Sequence, residues 1–436
     1  MLKIGLARAD ITPHAGIEMA GFGKRIQPSV GVNDPLYATA LVATDETTAV
    51  AVVDCDLLGV RADFTSEVRG KIEPLAGIPG PNVMIVCTHT HYGPTIPRGD
   101  AGSPASRSTY EWAYREHLAF QLAGLVYEAK ANMEPVRLRT GMGRCDVGVN
   151  RREKTADGRI VFGNNPQGPV DRAVGVCRID TAAGKPLAAL VNFTAHPNGQ
   201  DAQIRKISAD YVGCMRRVVQ DITGASCLFL QGAAGNVSIQ SAETDYSAAC
   251  SSGKRLGQEA ARVWETAEPI NADCVRTVSR MVDLPPYRGL SRPHAEEQVR
   301  EAQRDLEAAR QGPRSTPGLI QWYEHNLKRL TDLLGSWTDP ALVPPPVKTE
   351  LQTCRLGDLA CACVPGELFN EIGTEIKQRS PFRHTFLAAY ANDSIGYLPT
   401  VPAFKEGGYE VNQGCRVAPE AITMMVDRFV DMLREI

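Results

Sequence analysis

The stretch Ile85-Val86-Cys87-Thr88-His89-Thr90-His91-Tyr92-Gly93-Pro94 decides how this chain is read. An apolar run of strand type ends in two imidazoles spaced two apart and then turns at Gly-Pro. Residues i and i+2 of a strand project from the same face, so the two rings stand together at a strand end, where scaffolds display their chemistry. Such a pair offers nitrogen ligands to a divalent metal, and the leading expectation is a zinc hydrolase. The competing reading packs one ring in the core and leaves the other in solvent. With 8 His in 436 residues, the remaining ligands must come from distant segments.

Working outward, residues 39–44 and 49–54, joined by Asp45-Glu46-Thr47-Thr48, predict a hairpin of apolar strands. The chain's start predicts a short strand, and residues 83–88, 187–194, 227–230 and 359–364 predict buried strands that each run into a polar or Gly-rich loop. Helical periodicity covers 65–75, 110–131, 208–222, 251–267, 368–378 and 419–436. Strands alternating with helices imply an α/β architecture, a layered mixed β-sheet with surrounding helices. No repeat or low-complexity tract divides the chain, so residues 1–436 are expected to form a single catalytic domain. Within it, 293–335 carries two apolar stripes, Val299, Ala302, Leu306 and Ala309, then Ile320, Tyr323, Leu327, Leu330 and Leu334. These predict an inserted αα-hairpin turning at Gln311-Gly312-Pro313, either simple packing or a lid over a pocket.

A net charge of -3 and a pI of about 6.3 provide no general attraction for nucleic acid or an anionic membrane. No segment approaches the ~20 apolar residues of a membrane span, and the N-terminus lacks the apolar core of an export signal, so a cytoplasmic location is expected. The 12 Cys are scattered, mostly in apolar runs, as buried free thiols are. Cys361-Ala362-Cys363, without a second Cys pair, is expected to pack in a strand.

Leu190-Val191-Asn192-Phe193-Thr194-Ala195-His196-Pro197 repeats the opening logic: a buried strand delivers a third imidazole to a turn. Cys363-Val364-Pro365-Gly366-Glu367 does the same with a carboxylate. Glu367 could ligate a metal, act as a general base, or simply favour the positive end of the following helix. Tyr397 and Tyr409 stand beside glycines; near a divalent cation a phenol can ligate or donate to an oxyanion, though most tyrosines pack. Leu230 to Ser238 reads as a strand and a loop of small residues, able to offer N–H groups to an oxyanion, but without the Gly-x-Ser-x-Gly elbow that would mark Ser238 as a nucleophile.

Taken in order, Ala7-Arg8-Ala9-Asp10-Ile11-Thr12, Met19-Ala20-Gly21-Phe22, Thr88-His89-Thr90-His91, Asn150-Arg151, His196, Gly235-Asn236-Val237-Ser238, Pro365-Gly366-Glu367, Tyr397 and Tyr409 resemble the neutral/alkaline non-lysosomal ceramidases at their N-terminal catalytic domain. The resemblance runs over nearly the whole chain and implies a short form without the family's C-terminal immunoglobulin-like domain. It implies Zn2+ held by His89, His196, Glu367 and Tyr397, with His91, Arg151 and Tyr409 lining the scissile amide and Ser238 at the family's functional serine position. His91 thereby becomes a catalytic neighbour rather than the second ligand of the pair. Asn236 stands where the ceramidases usually have Asp, Ile239-Gln240 replaces their Pro-Asn, Tyr92 replaces Ser, and Asn33 sits where a His is common. These departures widen the expected substrate to small-molecule N-acyl amides other than ceramide. The alternatives are a zinc-dependent esterase or lactonase, a non-catalytic protein whose metal organises a ligand pocket, and a serine hydrolase using Ser238.

Overall fold

The computed structural model describes residues 2–99, 109–239, 243–312 and 315–436. Its main sheet has nine strands. Eight follow the order Ser226–Gln231, Pro186–Phe193, Ala173–Thr181, Glu134–Arg144, Lys3–Asp10, Tyr37–Thr44, Ala49–Cys55 and Val83–Cys87. The sheet is mixed. Its first and last pairs are parallel (Asn192 against Leu230, Val53 against Ile85), and the pairs between are antiparallel. Lys3–Asp10 touches Glu134–Arg144 only at Lys3 and Ile4, a narrow joint about which the sheet folds back. Its two edges then meet: the Gln231 amide donates to the carbonyls of Thr88 (3.2 Å) and Ala195 (2.7 Å).

A second, four-stranded sheet runs Val275–Leu284, Val347–Leu356, Leu359–Cys363 and His384–Ala388. It joins the first where Ala389 N–H donates to Gln231 O (2.8 Å) and Asn392 N–H to Ile85 O (2.9 Å). A three-stranded sheet, Val237–Ile239, Gly148–Lys154 and Ile160–Asn165, carries Arg151. The layered α/β architecture read from the sequence is therefore the observed one, and helices Ala62–Ala76, Thr109–Ala131, Asp210–Thr223, Tyr246–Thr266, Asn370–Arg379 and Pro419–Glu435 cover it.

Boundaries moved for identifiable reasons. The helix expected from 251 begins at Tyr246 because Asp245 caps it, accepting Ala248 N–H at 2.8 Å. The helix expected from 368 begins at Asn370 because Leu368 is drawn into a two-residue ladder with Leu398. Cys214 and Cys250 form a disulfide between neighbouring helices, which the reading of the scattered cysteines as mostly buried free thiols did not foresee; the other ten are free, and Cys361 and Cys363 lie in a strand.

Helices Arg292–Gln311 and Pro317–Gly335 lie between two adjacent strands, Val275–Leu284 and Val347–Leu356. Ser291 and Thr316 cap them, each followed by Pro in the first turn. The turn at Pro313 falls outside the described residues. Ala302, Leu306 and Ala309 are buried as expected, with Gln298 taking the place of Val299. On the second helix only Leu330 of the expected stripe is fully buried; Tyr323 and Leu330 of that stripe, with Leu319, Trp322 and Asn326 beside it, line a cavity. No helix among the described residues is long and apolar enough to cross a membrane.

Candidate metal centre

The centre is assembled from strand ends. His89 follows Val83–Cys87 in a left-handed conformation (φ 68°), unusual for a side-chain-bearing residue. Its N–H donates to Leu57 O (2.9 Å), and its Nδ1 lies 2.5 Å from Leu58 O. The Tyr390 ring, reached at the end of His384–Ala388, stacks on it at 3.7 Å between centroids. His91 is held by its N–H to Pro197 O (3.1 Å). Gly21 packs so closely that a Cβ there would lie 2.7 Å from His91, which excludes any larger residue. His196 follows Pro186–Phe193, and its Nδ1 faces Ala234 O (2.5 Å) and Val237 O (3.2 Å). Glu367 is the register partner of Tyr397 in a short parallel ladder. Its carboxylate faces the histidines, so the reading of Glu367 as a helix-end charge does not hold.

One ring nitrogen from each of His89, His91 and His196 falls within 4.8 Å of the others, and all three rings are buried. Glu367 Oε2 lies 3.1 Å from His196 Nε2 and 3.4 Å from His89 Nε2. The second approach is a distance without hydrogen-bond geometry, since His89 Nε2 has no hydrogen-bond partner, nor has either nitrogen of His91. A carbonyl facing Nδ1 requires the proton there, so His89 and His196 both aim Nε2 lone pairs inward. Two lone pairs facing a carboxylate oxygen repel unless a cation lies among them. Donors sharing one ion with bonds of about 2.0–2.1 Å sit roughly 3.3 Å apart, which the two separations of Glu367 from the histidines match. The buried three-histidine group, with Glu367, fits a divalent metal.

Burial raises the Glu367 carboxyl, but His89 and His196 outweigh it and hold the group well below the usual carboxylate range. Burial, reinforced by His89 and His196, drives His91 well below an ordinary imidazole. His196 is lowered to about 4 by burial and Arg151, with Glu367 opposing.

Arg151 is fully buried, its Nε on Glu410 (2.9 Å) and its Nη2 donating to Tyr397 Oη (2.9 Å). Glu410 also accepts from Arg152 (2.9 Å), so one carboxylate locks both arginines. Burial raises the Tyr397 phenol well above its ordinary value with Arg151 opposing, and pushes Tyr409 up to about 12. The two rings meet edge to face at 5.6 Å. Gly414 makes room, since a Cβ there would lie 2.1 Å from the Tyr397 ring. A cavity of about 670 Å³, lined by His91, Arg151, Tyr397, Tyr409, Phe22 and Trp322 among others, opens beside the centre.

Ser238 bridges His196 through the backbone, and its Oγ accepts from Asn198 Nδ2 at 3.4 Å. The N–H groups of Gly232, Ala234, Gly235 and Val237 in the preceding loop all donate to carbonyls, which leaves none of these four free for an oxyanion. Of the departures, Asn33 and Tyr92 both bond to Gln200, and Gln240 lies outside the described residues. Asn236 donates its amide to Glu371 (2.8 Å), a bond that a carboxylate there could not make. Sequence reasoning missed Tyr390 and Glu410. Tyr390 carried the same signal as the histidines, a polar ring just past a buried strand, whereas nothing local marked Glu410.

A mixed sheet whose strand ends bury three imidazoles and a carboxylate beside a cleft defines a class: layered α/β proteins able to seat a metal there. Within it, the family model described as neutral/alkaline non-lysosomal ceramidase, N-terminal, matches residues 2–226, and the chain belongs to that family. Family membership implies an amide hydrolase. Among solved structures, the neutral ceramidase from Pseudomonas aeruginosa superposes with a TM-score of 0.75 at 19% identity, over 99% of this chain and 74% of that one. A ceramidase complexed with C2 gives 0.73 at 19% identity, over 100% and 75%. At that identity the likeness is one of fold. No curated protein matches by sequence.

Proposed function

We propose that this chain is a zinc-dependent amidohydrolase that cleaves the N-acyl bond of a small amide, with residues 1–436 acting as one catalytic unit and the helical hairpin as an insertion in it. His89, His196, Glu367 and Tyr397 are the proposed ligands; His91, Arg151 and Tyr409 are the proposed neighbours of the scissile bond. The observation that carries this reading is the convergence of two inward-facing Nε2 lone pairs on the Glu367 carboxylate beside a large cavity. That both structural neighbours are described as ceramidases supports an N-acyl amide over other carbonyl substrates.

A zinc ion, when bound, supplies Lewis-acid polarisation of the carbonyl and acidifies a water to a pKa of about 7. The chain's own residues do the rest. His91 stays neutral at neutral pH, so whichever of its two unpartnered nitrogens lacks a proton can take one from the attacking water and return it to the leaving amine. Tyr409 keeps its proton and can donate to the carbonyl oxygen as charge develops there. Arg151, fixed by Glu410, orients the Tyr397 oxygen and partly offsets the burial that keeps the proton on that phenol. Phe22, Phe162 and Trp322 give the cavity wall an apolar face for the substrate.

The test is a panel of N-acyl amines, from acetyl to long chain, paired with matched esters and read with metal content before and after chelation. Amide turnover lost with the metal and restored by zinc is expected. Full turnover in stripped protein would refute the metal mechanism, and preference for the ester would replace the amidase with an esterase.

A further inference from the structure

We propose that the amine part of the substrate carries an anionic group, received by Arg61, Arg329 and Arg416 in a second lobe of the cleft. The inference rests on the amidase reading for the placement of the scissile bond, whereas the anion site stands on its own geometry. A smaller cavity of about 310 Å³ shares Trp322, Asn326, Tyr397, Tyr409 and Gln413 with the larger one, so the two lobes meet at the proposed reacting centre. An amide has two halves, and the lobes differ as those halves would. The larger lobe presents Phe22, Phe162, Ala302, Leu319, Tyr323 and Leu330, an acyl surface. The smaller presents Arg61, Arg329, Arg416 and His325.

What marks this lobe is an excess of positive charge, three guanidinium groups against the carboxylates of Glu367 and Asp393. Arg329 donates only to neutral oxygens, Asn326 Oδ1 at 3.2 Å and the Asn412 carbonyl. Among the described residues no carboxylate pairs with Arg61 or Arg416. Asp393, whose charge acts on both, is tied elsewhere: Oδ1 accepts Ala62 N–H (3.2 Å) and Ser394 N–H (2.7 Å), and Oδ2 accepts Thr349 Oγ1 (3.1 Å). Burial lowers both guanidinium groups, and repulsion within the set, from Arg98 and from each other or Arg329, lowers them further. Glu367 also lines the lobe, but its carboxylate is turned to His89 Nε2 (3.4 Å) and His196 Nε2 (3.1 Å), at the proposed metal site. Planar guanidinium groups held around a small cavity suit a carboxylate, which they can grip with paired N–H donors. Arg416 keeps much of its residue surface in solvent, although burial lowers its guanidinium group as it does that of Arg61, so part of its pull on an anion is screened.

The test uses N-dodecanoylglycinate and neutral N-dodecanoylethanolamine for turnover, and their ketomethylene isosteres, which contain no scissile amide, for calorimetric binding to the intact metal-loaded protein. The wild type is expected to bind the anionic isostere at least about tenfold tighter than the neutral one. Arg61→Gln should erase about tenfold of that preference and Arg416→Gln somewhat less, with Arg61→Lys and Arg416→Lys retaining part of it. Equal binding of the two isosteres by the wild type, or a preference untouched by both glutamine variants, overturns the proposal. Turnover is read separately: preference without cleavage removes the amidase reading and keeps the anion site, whereas cleavage without preference does the reverse.

Discussion

Neighbouring strands of the main sheet serve two buried charge clusters that follow opposite rules. In the first, Arg216 donates to both oxygens of Asp56 (2.7 and 2.6 Å) and to Asp54 Oδ2 (2.6 Å), while Phe229 and Tyr37 N–H groups fill further acceptor positions (2.9 Å each). Its cation is internal, and it fastens a helix to three strands. In the second, three imidazoles and Glu367 come together with no cationic side chain bonded to the carboxylate, since the nearby Arg151 spends its donors on Glu410 and Tyr397. The chain supplies its own counter-charge where it needs fastening and leaves it out where a ligand is to enter.

The largest effect expected from this contrast is on the open cluster. His196→Ala or His89→Ala should lose bound metal and lower turnover on the order of a thousandfold, about 4 kcal/mol of transition-state stabilisation, with the fold retained. Metal analysis, kinetics and circular dichroism on one sample check this. Arg216→Gln should do the opposite, costing roughly 3–5 kcal/mol in urea unfolding because it strands two buried carboxylates, while the protein that remains folded still binds metal. Metal loss in the Arg216 variant without loss of stability would erase the distinction.

How much of this the sequence disclosed follows the same line. His89, His91, His196 and Glu367 each end an apolar run, and a run of buried strand type followed by a polar residue is a local signal. The strand hairpin, the helices and the helical insertion were equally local. The Asp54–Arg216–Asp56 cluster was not legible, because its parts lie 160 residues apart and each looks like an ordinary charge in its own segment. Glu410 was hidden for the same reason: its meaning comes from Arg151, 259 residues away. The two lobes of the cleft likewise exist only once the hairpin has folded over Tyr397 and Tyr409.

A smaller effect sharpens the closed side. Burial pushes Asp54 up to about 6, with Arg216 pulling it down and Asp56 raising it. Its folded value therefore exceeds the unfolded one, near 3.9, so the native state binds more protons across that interval. Stability from this group is present at low pH and falls as pH rises through about 6. The urea midpoint of the wild type should decline between pH 4 and 6 by an amount that Asp54→Asn reduces, since an amide there does not titrate. An identical pH slope in the two proteins would place the titration elsewhere.

Ser238 should give the smallest effect, and its smallness is informative. A nucleophilic serine needs a base within hydrogen-bond reach, and the nearest imidazole has none to give. His196 Nδ1 faces the Ala234 and Val237 carbonyls, and its Nε2 faces Glu367. The hydroxyl instead accepts a long 3.4 Å bond from Asn198, a residue of the cavity wall. Ser238→Ala is therefore expected to lower kcat/KM by no more than about threefold, the worth of one weak hydrogen bond, and to leave chelator sensitivity intact. A fall to background with metal still bound would move the chemistry from the open cluster to the serine, and the contrast between the two clusters would lose its functional meaning.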